Sequence, residues 1–466
     1  MTLLFALLVA TATYHIDPEH GRDAAAGTSP AAAWRTVAPL ARTTLGSGDR
    51  ILLRGRTQIA GPLRLKDASG VTIGSYGGGR AMIDGGAGDA LTIEGGTGAR
   101  VEDLVLVGAG RKSNDGRGLL LTRTKGARVR NVDVSGFRVG GLDVEGSSDT
   151  VIERVFAHDN GAYGISVSGG YGDLPRSRNV TVRDCRAIDN PGDPKNLTNH
   201  SGNGIVVGSL DGALVEFCEA ANNGWDMPRE GNGPVGIWAW NATKVTVQDC
   251  ISHDNKSPGT DGGGFDLDGG VTDSVFQRNL SYGNAGAGLL LCQYEGASAW
   301  GGNVVRHNVS YEDGVKNFNS GIALYLPEGM TNMRGATVER NTIVNSRFAI
   351  AIMGDVPEIA YRDNVLVAGV RTFDVVWGPG TFRAARFERN LAWTGGTGEA
   401  ALGEDSPFAT RAAWTATGGR VADPKLRLPR STADLPTDPH ALAKMAWFRP
   451  LSGSPIGAGT GASFAR

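Results

Sequence analysis

The chain has 466 residues, with 46 Lys and Arg against 48 Asp and Glu and a formal net charge of −2. A balance this even, without a basic run, argues against a nucleic-acid partner. Four cysteines do not make a disulfide framework.

Residues 1–12, MTLLFALLVATA, form a short apolar run ending in small residues, the pattern of a secretory-signal remnant cleaved near Ala12. It is too short to cross a bilayer, and no other apolar stretch approaches the needed length. The mature protein is expected to be secreted or periplasmic, monomeric and without a membrane span. Residues 13 to about 60 carry YHIDPEHGRDAAAGTSP and GDRILLRG, read as an extended segment and a short helix that cap a first coil. Such a cap is needed because a terminal coil otherwise exposes an unpaired strand edge.

A repeat follows. Cys185, Cys218, Cys250, Asn279, Asn308, Asn341, Asn364 and Asn390 share one local frame (VRDC, VEFC, VQDC, FQRN, VRHN, VERN, YRDN, FERN). Their spacings are 33, 32, 29, 29, 33, 23 and 26 residues. Leu104, Val132 and Val155 extend the column upstream with apolar residues. A fixed inward position recurring at this interval means one coil per repeat. Asn side chains stacked at the strand spacing satisfy one another as a ladder. The fold class is therefore all-β, a right-handed single-stranded parallel β-helix. The seventy glycines, about twice the usual share, are expected at coil corners, where positive φ is needed.

A second column usually opens with Gly: GLDVE (141–145), GISVS (164–168), GIVVG (204–208), GIWAW (236–240), GFDLD (264–268), GLLLC (288–292) and GIALY (321–325). Side chains alternate between faces, so the apolar first and third residues after the Gly point inward. The second and fourth point outward: Asp143/Glu145, Ser166/Ser168, Trp238/Trp240, Asp266/Asp268 and, further on, Cys292 and Tyr325. The long insertions 191–203, 222–234, 254–263 and 293–302 all flank the coils around Trp238 and Asp266. Long loops over one stretch of a regular scaffold mark a binding groove. The coils run to about Trp393. The division expected is a β-helix with its N-terminal cap over 13–394 and a C-terminal cap or wrap over 395–466.

Asp266 and Asp268 lie two apart on one strand, and Asp261 sits in the loop that enters it. Three crowded carboxylates raise at least one pKa, which supplies the acid and base of glycoside hydrolysis. The alternative is a solvated acidic strand or turn-capping Asp residues. Trp238 and Trp240 offer indole faces to a sugar ring, or are buried under the 222–234 loop. Arg229, Glu230, Gln293, Glu295, His200, Lys256 and Tyr325 complete the substrate-binding candidates. Asp143 and Glu145 stand about four coils away, roughly 20 Å; they are too far for the same reaction centre but within reach of a long ligand.

On these residues the chain resembles the pectin-lyase-like superfamily of right-handed β-helix proteins that act on polysaccharides. TDGGGFDLDGG (260–270) is similar to the acidic strand of polygalacturonase-type hydrolases, and also to the metal-holding strand of some pectate lyases. The following coil, GLLLCQYEG, lacks the adjacent Asp pair of the hydrolases. No Gly-His-Gly follows, and no DPHD-type epimerase motif is present. The resemblance implies a glycosidic-bond-cleaving enzyme. The leading expectation is a cofactor-free glycoside hydrolase with Asp261, Asp266 and Asp268 as catalytic groups and no metal. A lyase would instead use those carboxylates to hold Ca²⁺, with Lys256 or Arg229 abstracting the proton. A non-catalytic glycan-binding β-helix is the third reading.

Overall fold

The computed structural model describes residues 11–377, 385–394, 406–408 and 410–464. The signal-like run at 1–12 thus lies outside the described residues except for Thr11 and Ala12, and part of the 395–466 segment does too. The chain is a right-handed parallel β-helix. One side is a front sheet of twelve parallel strands from Leu63–Lys66 to Arg371–Trp377. Its centre is built by Asn203–Gly208, Ile237–Trp240, Phe265–Leu267, Leu289–Cys292 and Ser320–Leu326. The other sides belong to a continuous 26-stranded sheet that bends around the core. In the front sheet Ile237 pairs Phe265 and Ala239 pairs Leu267 in register. All four side chains are fully buried in the core, so the alternation read from sequence places Trp238, Asp266 and their column outward.

Left-handed residues turn each coil at its corners, and at two of these corners a ladder stands behind the turn. At the first, a left-handed residue immediately precedes the ladder position: Asp184, Phe217, Asp249, Arg278, His307, Arg340, Asp363 and Arg389 have φ of 51–56°. The corner after the front sheet carries the expected positive-φ glycines, as at Gly98, Gly126, Gly302 and Gly335, whereas the residues at this corner are not glycines. A non-Gly residue there costs on the order of 1–2 kcal/mol. The cost is offset by the ladder behind it, in which Asn279, Asn308, Asn341 and Asn364 each donate through Nδ2 to the next Asn at 2.8–3.0 Å. The cysteines continue the stack, Cys250 N–H donating to Asn279 Oδ1 at 3.0 Å.

The second corner carries a ladder that sequence reasoning missed. Asn160, Asn190, Asn223, Asn255, Asn284 and Asp313 are linked in order at 2.8–3.1 Å. The signal was present, because each Asn stands at the mouth of a loop that leads to the front sheet. This ladder also explains the strand-opening glycines. A Cβ on Gly236 would lie 2.0 Å from Ser252 Oγ and 2.6 Å from Asn255 Nδ2. On Gly264 it would lie 2.1 Å from Ser281 Oγ. Glycine is needed there for close approach, not for positive φ.

The ends are closed by aromatics. Tyr14 stacks on Trp34 at 5.0 Å before the first coils. Trp414, in the helix Arg411–Ala416, packs with Phe373, Phe387 and Phe408 at the far end. The chain then runs back along the outside. Leu435, Leu442, Met445 and Phe448 bury Ile251, Leu280, Val309 and Tyr311, and His440 reaches Asp184 at 2.8 Å. The C-terminal segment therefore covers an apolar outer face away from the front sheet and leaves that sheet to its own loops. No described helix is long and apolar enough to cross a membrane.

Candidate active site

The acids lie where strand and loop geometry put them. Asp266 sits mid-strand beside Trp238 on one side and Leu290 on the other. It is only 4% exposed, and its Oδ1 is buried without a hydrogen-bond partner among the described residues. Burial, then the charges of Asp268 and Asp261, push its carboxyl well above the usual range. Asp268 follows at the strand end, its N–H held by Ala239 O at 2.9 Å. Burial raises it too, but the Gly269 N–H and the Cys292 thiol favour its ionised form. Asp261 occupies a left-handed turn, φ 57°, and accepts from Gly233 N–H at 2.8 Å. Burial is the main cause that pushes it up to about 7, with Asp268 adding and Arg229 opposing. The structure thus brings Asp261, Asp266 and Asp268 into one group of buried acids, all raised above the usual range, in which Asp266 lacks donors while Asp268 and Asp261 have them.

The surrounding loops are fixed. Lys316 Nζ donates to Ser257 O at 2.8 Å and Pro258 O at 2.6 Å, and Asn317 Nδ2 to Asp261 O at 2.9 Å. Arg138 binds Asp193 at 2.8 Å, and Arg111 binds Gly192 O at 2.8 Å and also the Asp226 carboxylate. The 191–203 and 222–234 loops are thereby tied to earlier coils and wall one side of the sheet.

Several substrate-binding candidates stand elsewhere than expected. Trp238 is 6% exposed, packed with Val206 and Val235. Its Nε1 donates to Asn203 Oδ1 at 3.0 Å, and His200 meets its ring edge at 5.1 Å. It is a wall of the site, not an open sugar platform, and its cover comes from the 191–203 loop. Burial first and Arg229 second lower His200 to about 4, which keeps it neutral. Lys256 is turned away: its Nζ donates to Asn222 Oδ1 at 2.6 Å, beyond the second corner. Gln293 is fully buried and ties its own loop to Ser298 O at 2.8 Å, so it offers nothing to a ligand. Glu230 and Glu295 are exposed, and neither is among the charges acting on the three aspartates.

Trp240, Arg229 and Tyr325 do face the site. Trp240 is half-buried, its indole lying across Gly208, where a Cβ would fall 1.9 Å from Nε1. Arg229 acts on both Asp261 and His200 while bonded to Asn232 O at 2.7 Å. Tyr325 pairs in register with Cys292. Tyr294, not singled out from sequence, is 38% exposed and lies over Gly269. Burial and then Asp268 push its hydroxyl up to about 12.

A Ca²⁺ cage requires several oxygens converging on one point. Among the described residues only Asp17, Glu19 and His20 hold three ligand atoms within 4.8 Å of one another. Asp17 there is already bound by Arg54 at 2.6 Å. The three site aspartates do not form a ready chelate.

The family model described as "Pel9A-like, right handed beta helix region" matches residues 14–332. No curated protein matches the sequence. Among solved structures, the GH136 lacto-N-biosidase from Eubacterium ramulus is 16% identical, with a TM-score of 0.55 over 78% of this chain and 68% of that one. A PL6-family alginate lyase is 13% identical, with a TM-score of 0.53 over 92% and 58%. The A-module of the Azotobacter vinelandii mannuronan C-5 epimerase is 16% identical, with a TM-score of 0.52 over 73% and 91%. At these identities the likeness is one of fold.

Proposed function

The chain belongs to the family of Pel9A-like right-handed β-helix regions, and on that premise we propose that it is an exported glycoside hydrolase. The observation that carries this reading is the unlike pair on one strand. Burial raises both, but Asp266 has an unpartnered Oδ1 and the stronger upward push, while Asp268 has donors that favour its carboxylate. Such a divergence separates acid from base.

Asp266 protonates the glycosidic oxygen as the bond to the anomeric carbon lengthens. Asp268 either activates water or attacks the anomeric carbon, depending on carboxyl separation. Asp261, near neutrality at about 7, adjusts the charge that both experience. Trp240 supplies the exposed indole face for a sugar ring, and Arg229 orients ligand hydroxyls from the loop wall. The chemistry needs no cofactor.

The lyase reading draws on the family match itself, whose model is named for Pel9A, and an alginate lyase is among the structural neighbours. It needs a base beside the acids. Lys256 faces away on Asn222, and Arg229 is engaged with Asn232. The test is a screen of neutral and uronic-acid polysaccharides that follows reducing ends together with ultraviolet absorbance from unsaturated uronates, with and without chelator. New reducing ends without absorbance are expected; absorbance rising with them, and lost on chelation, would make the protein a lyase.

A further inference from the structure

We propose that Arg117, Glu145, Ser168 and Tyr171 form a distal sugar-binding subsite on the same face, which makes the substrate a chain of several neutral sugar units running along the helix axis. The inference rests on the carbohydrate reading above.

Glu145 pairs in register with Ser168, Ser168 precedes Gly208 by one coil, and Gly208 pairs with Trp240. Asp268 continues that column. The subsite therefore lies about four strand spacings, roughly 19 Å, from the acids. A pyranose unit is about as long as one spacing, so an axial chain that joins the two sites has about four units.

The cluster is built for polar contact. Arg117 Nε holds Asp143 at 2.7 Å and its Nη2 holds Glu145 at 3.2 Å. Tyr163 OH donates to the same Asp143 oxygen at 2.5 Å. The other oxygen of Asp143, a residue 1% exposed, has no partner among the described residues. Tyr171 closes the cluster from the loop, with its hydroxyl 2.7 Å from Ser168 Oγ. At 43% exposure it leaves much of its ring open.

Along the sheet edge partly exposed aromatics follow in succession: Tyr171 in the subsite, Trp240 between it and the acids, and Tyr294 and Tyr325 on the coils beyond the acids. Exposed aromatic faces beside hydroxyl and carboxyl groups suit the apolar face and rim hydroxyls of sugars. Arg117, the cation of the subsite, is already taken by Asp143 and Glu145, which leaves a uronate carboxylate nothing to pair with there and favours neutral sugars.

The test measures binding of β-1,4-linked glucose, mannose and xylose oligomers, dimer to octamer, by calorimetry, with an oligogalacturonate ladder beside them. Asp266→Asn protein avoids turnover. Affinity for one neutral series is expected to rise beyond the tetramer. Tyr171→Ala and, separately, the conservative Glu145→Gln are expected to weaken hexamer binding about tenfold and leave dimer binding unchanged. Affinity that levels off at the dimer, variants that bind hexamer as well as the parent, preference for the acidic ladder, or no binding at all would overturn the subsite. A hexamer bound with these dependences but left uncut by the unmodified protein would overturn the hydrolase reading alone.

Discussion

Trp238 and Asp266 are register partners on adjacent parallel strands, and neither is open to solvent. The indole is held by Asn203 and edged by His200, so it forms an apolar wall one strand spacing from the acid. That wall denies Asp266 the water that would stabilise its charge. The carboxyl keeps its proton for this reason, and the hydrolytic proposal depends on that proton.

Replacing Asp266 by Asn keeps its shape and removes its titration. Turnover is expected to fall about a hundredfold to ten-thousandfold, the usual range for loss of a general acid. The melting temperature at pH 8 is expected to rise, because a neutral amide removes a buried acid that two other acids disfavour. Calorimetry beside an activity assay reads both; a variant that loses activity together with stability would mean that the residue is structural.

The two tryptophans should separate. Trp238→Ala empties a buried site and is expected to cost about 3–5 kcal/mol. Trp240→Ala is expected to cost much less stability and to raise KM. Equal stability losses in denaturant titrations would contradict the assignment of Trp240 to the ligand.

The contribution of Asp261 to stability should fall as pH rises from about 4 to about 7. Asp261 titrates near 3.9 unfolded and about 7 folded, so between those values the folded state binds more protons. Its contribution is complete below about pH 4 and is lost as pH passes 7. His200, lowered to about 4, has the opposite sign between about 6.5 and 4. The difference between parent and Asp261→Asn isolates the aspartate: the variant should gain relative stability from pH 4 to pH 7 and no more above. A flat difference across that window would show that the carboxyl is unperturbed.

Asn255 is a ladder rung that accepts from Asn223 and donates to Asn284. Asn255→Ala leaves buried donors and acceptors unpaired on both sides, at an expected cost of about 2–4 kcal/mol. Lys256→Ala, one residue on, should leave both stability and turnover unchanged because its ammonium only meets Asn222 at the surface. Loss of turnover there would restore a lyase base.

The coil repeat and the acidic strand were legible because each depends on local pattern: an amide every 23–33 residues, and alternation along GFDLD. The second ladder obeys the same rule and was equally legible, its asparagines closing short frames at loop mouths such as HDN (158–160 and 253–255), IDN (188–190) and YGN (282–284). What local pattern could not show was set by contacts distant in sequence. Trp238 is buried by Asn203, 35 residues earlier. Gln293 is turned into its loop in part by Asn332, 39 residues later. Lys256 points away because the corner, not the strand alternation, directs its side chain. Glycines do take one stacked corner, as at Gly98 and Gly302, but the ladder corner falls to other residues because the ladder behind it offsets the left-handed conformation.

The central claim is that the bond is cut by water under Asp266 and Asp268. The most direct measurement is to run cleavage of the best substrate in heavy-oxygen water and weigh the products. One heavy oxygen per cut, with cleavage slowed about a hundredfold or more in Asp266→Asn, is the predicted result. Products that carry no solvent oxygen and gain an unsaturated end would contradict it.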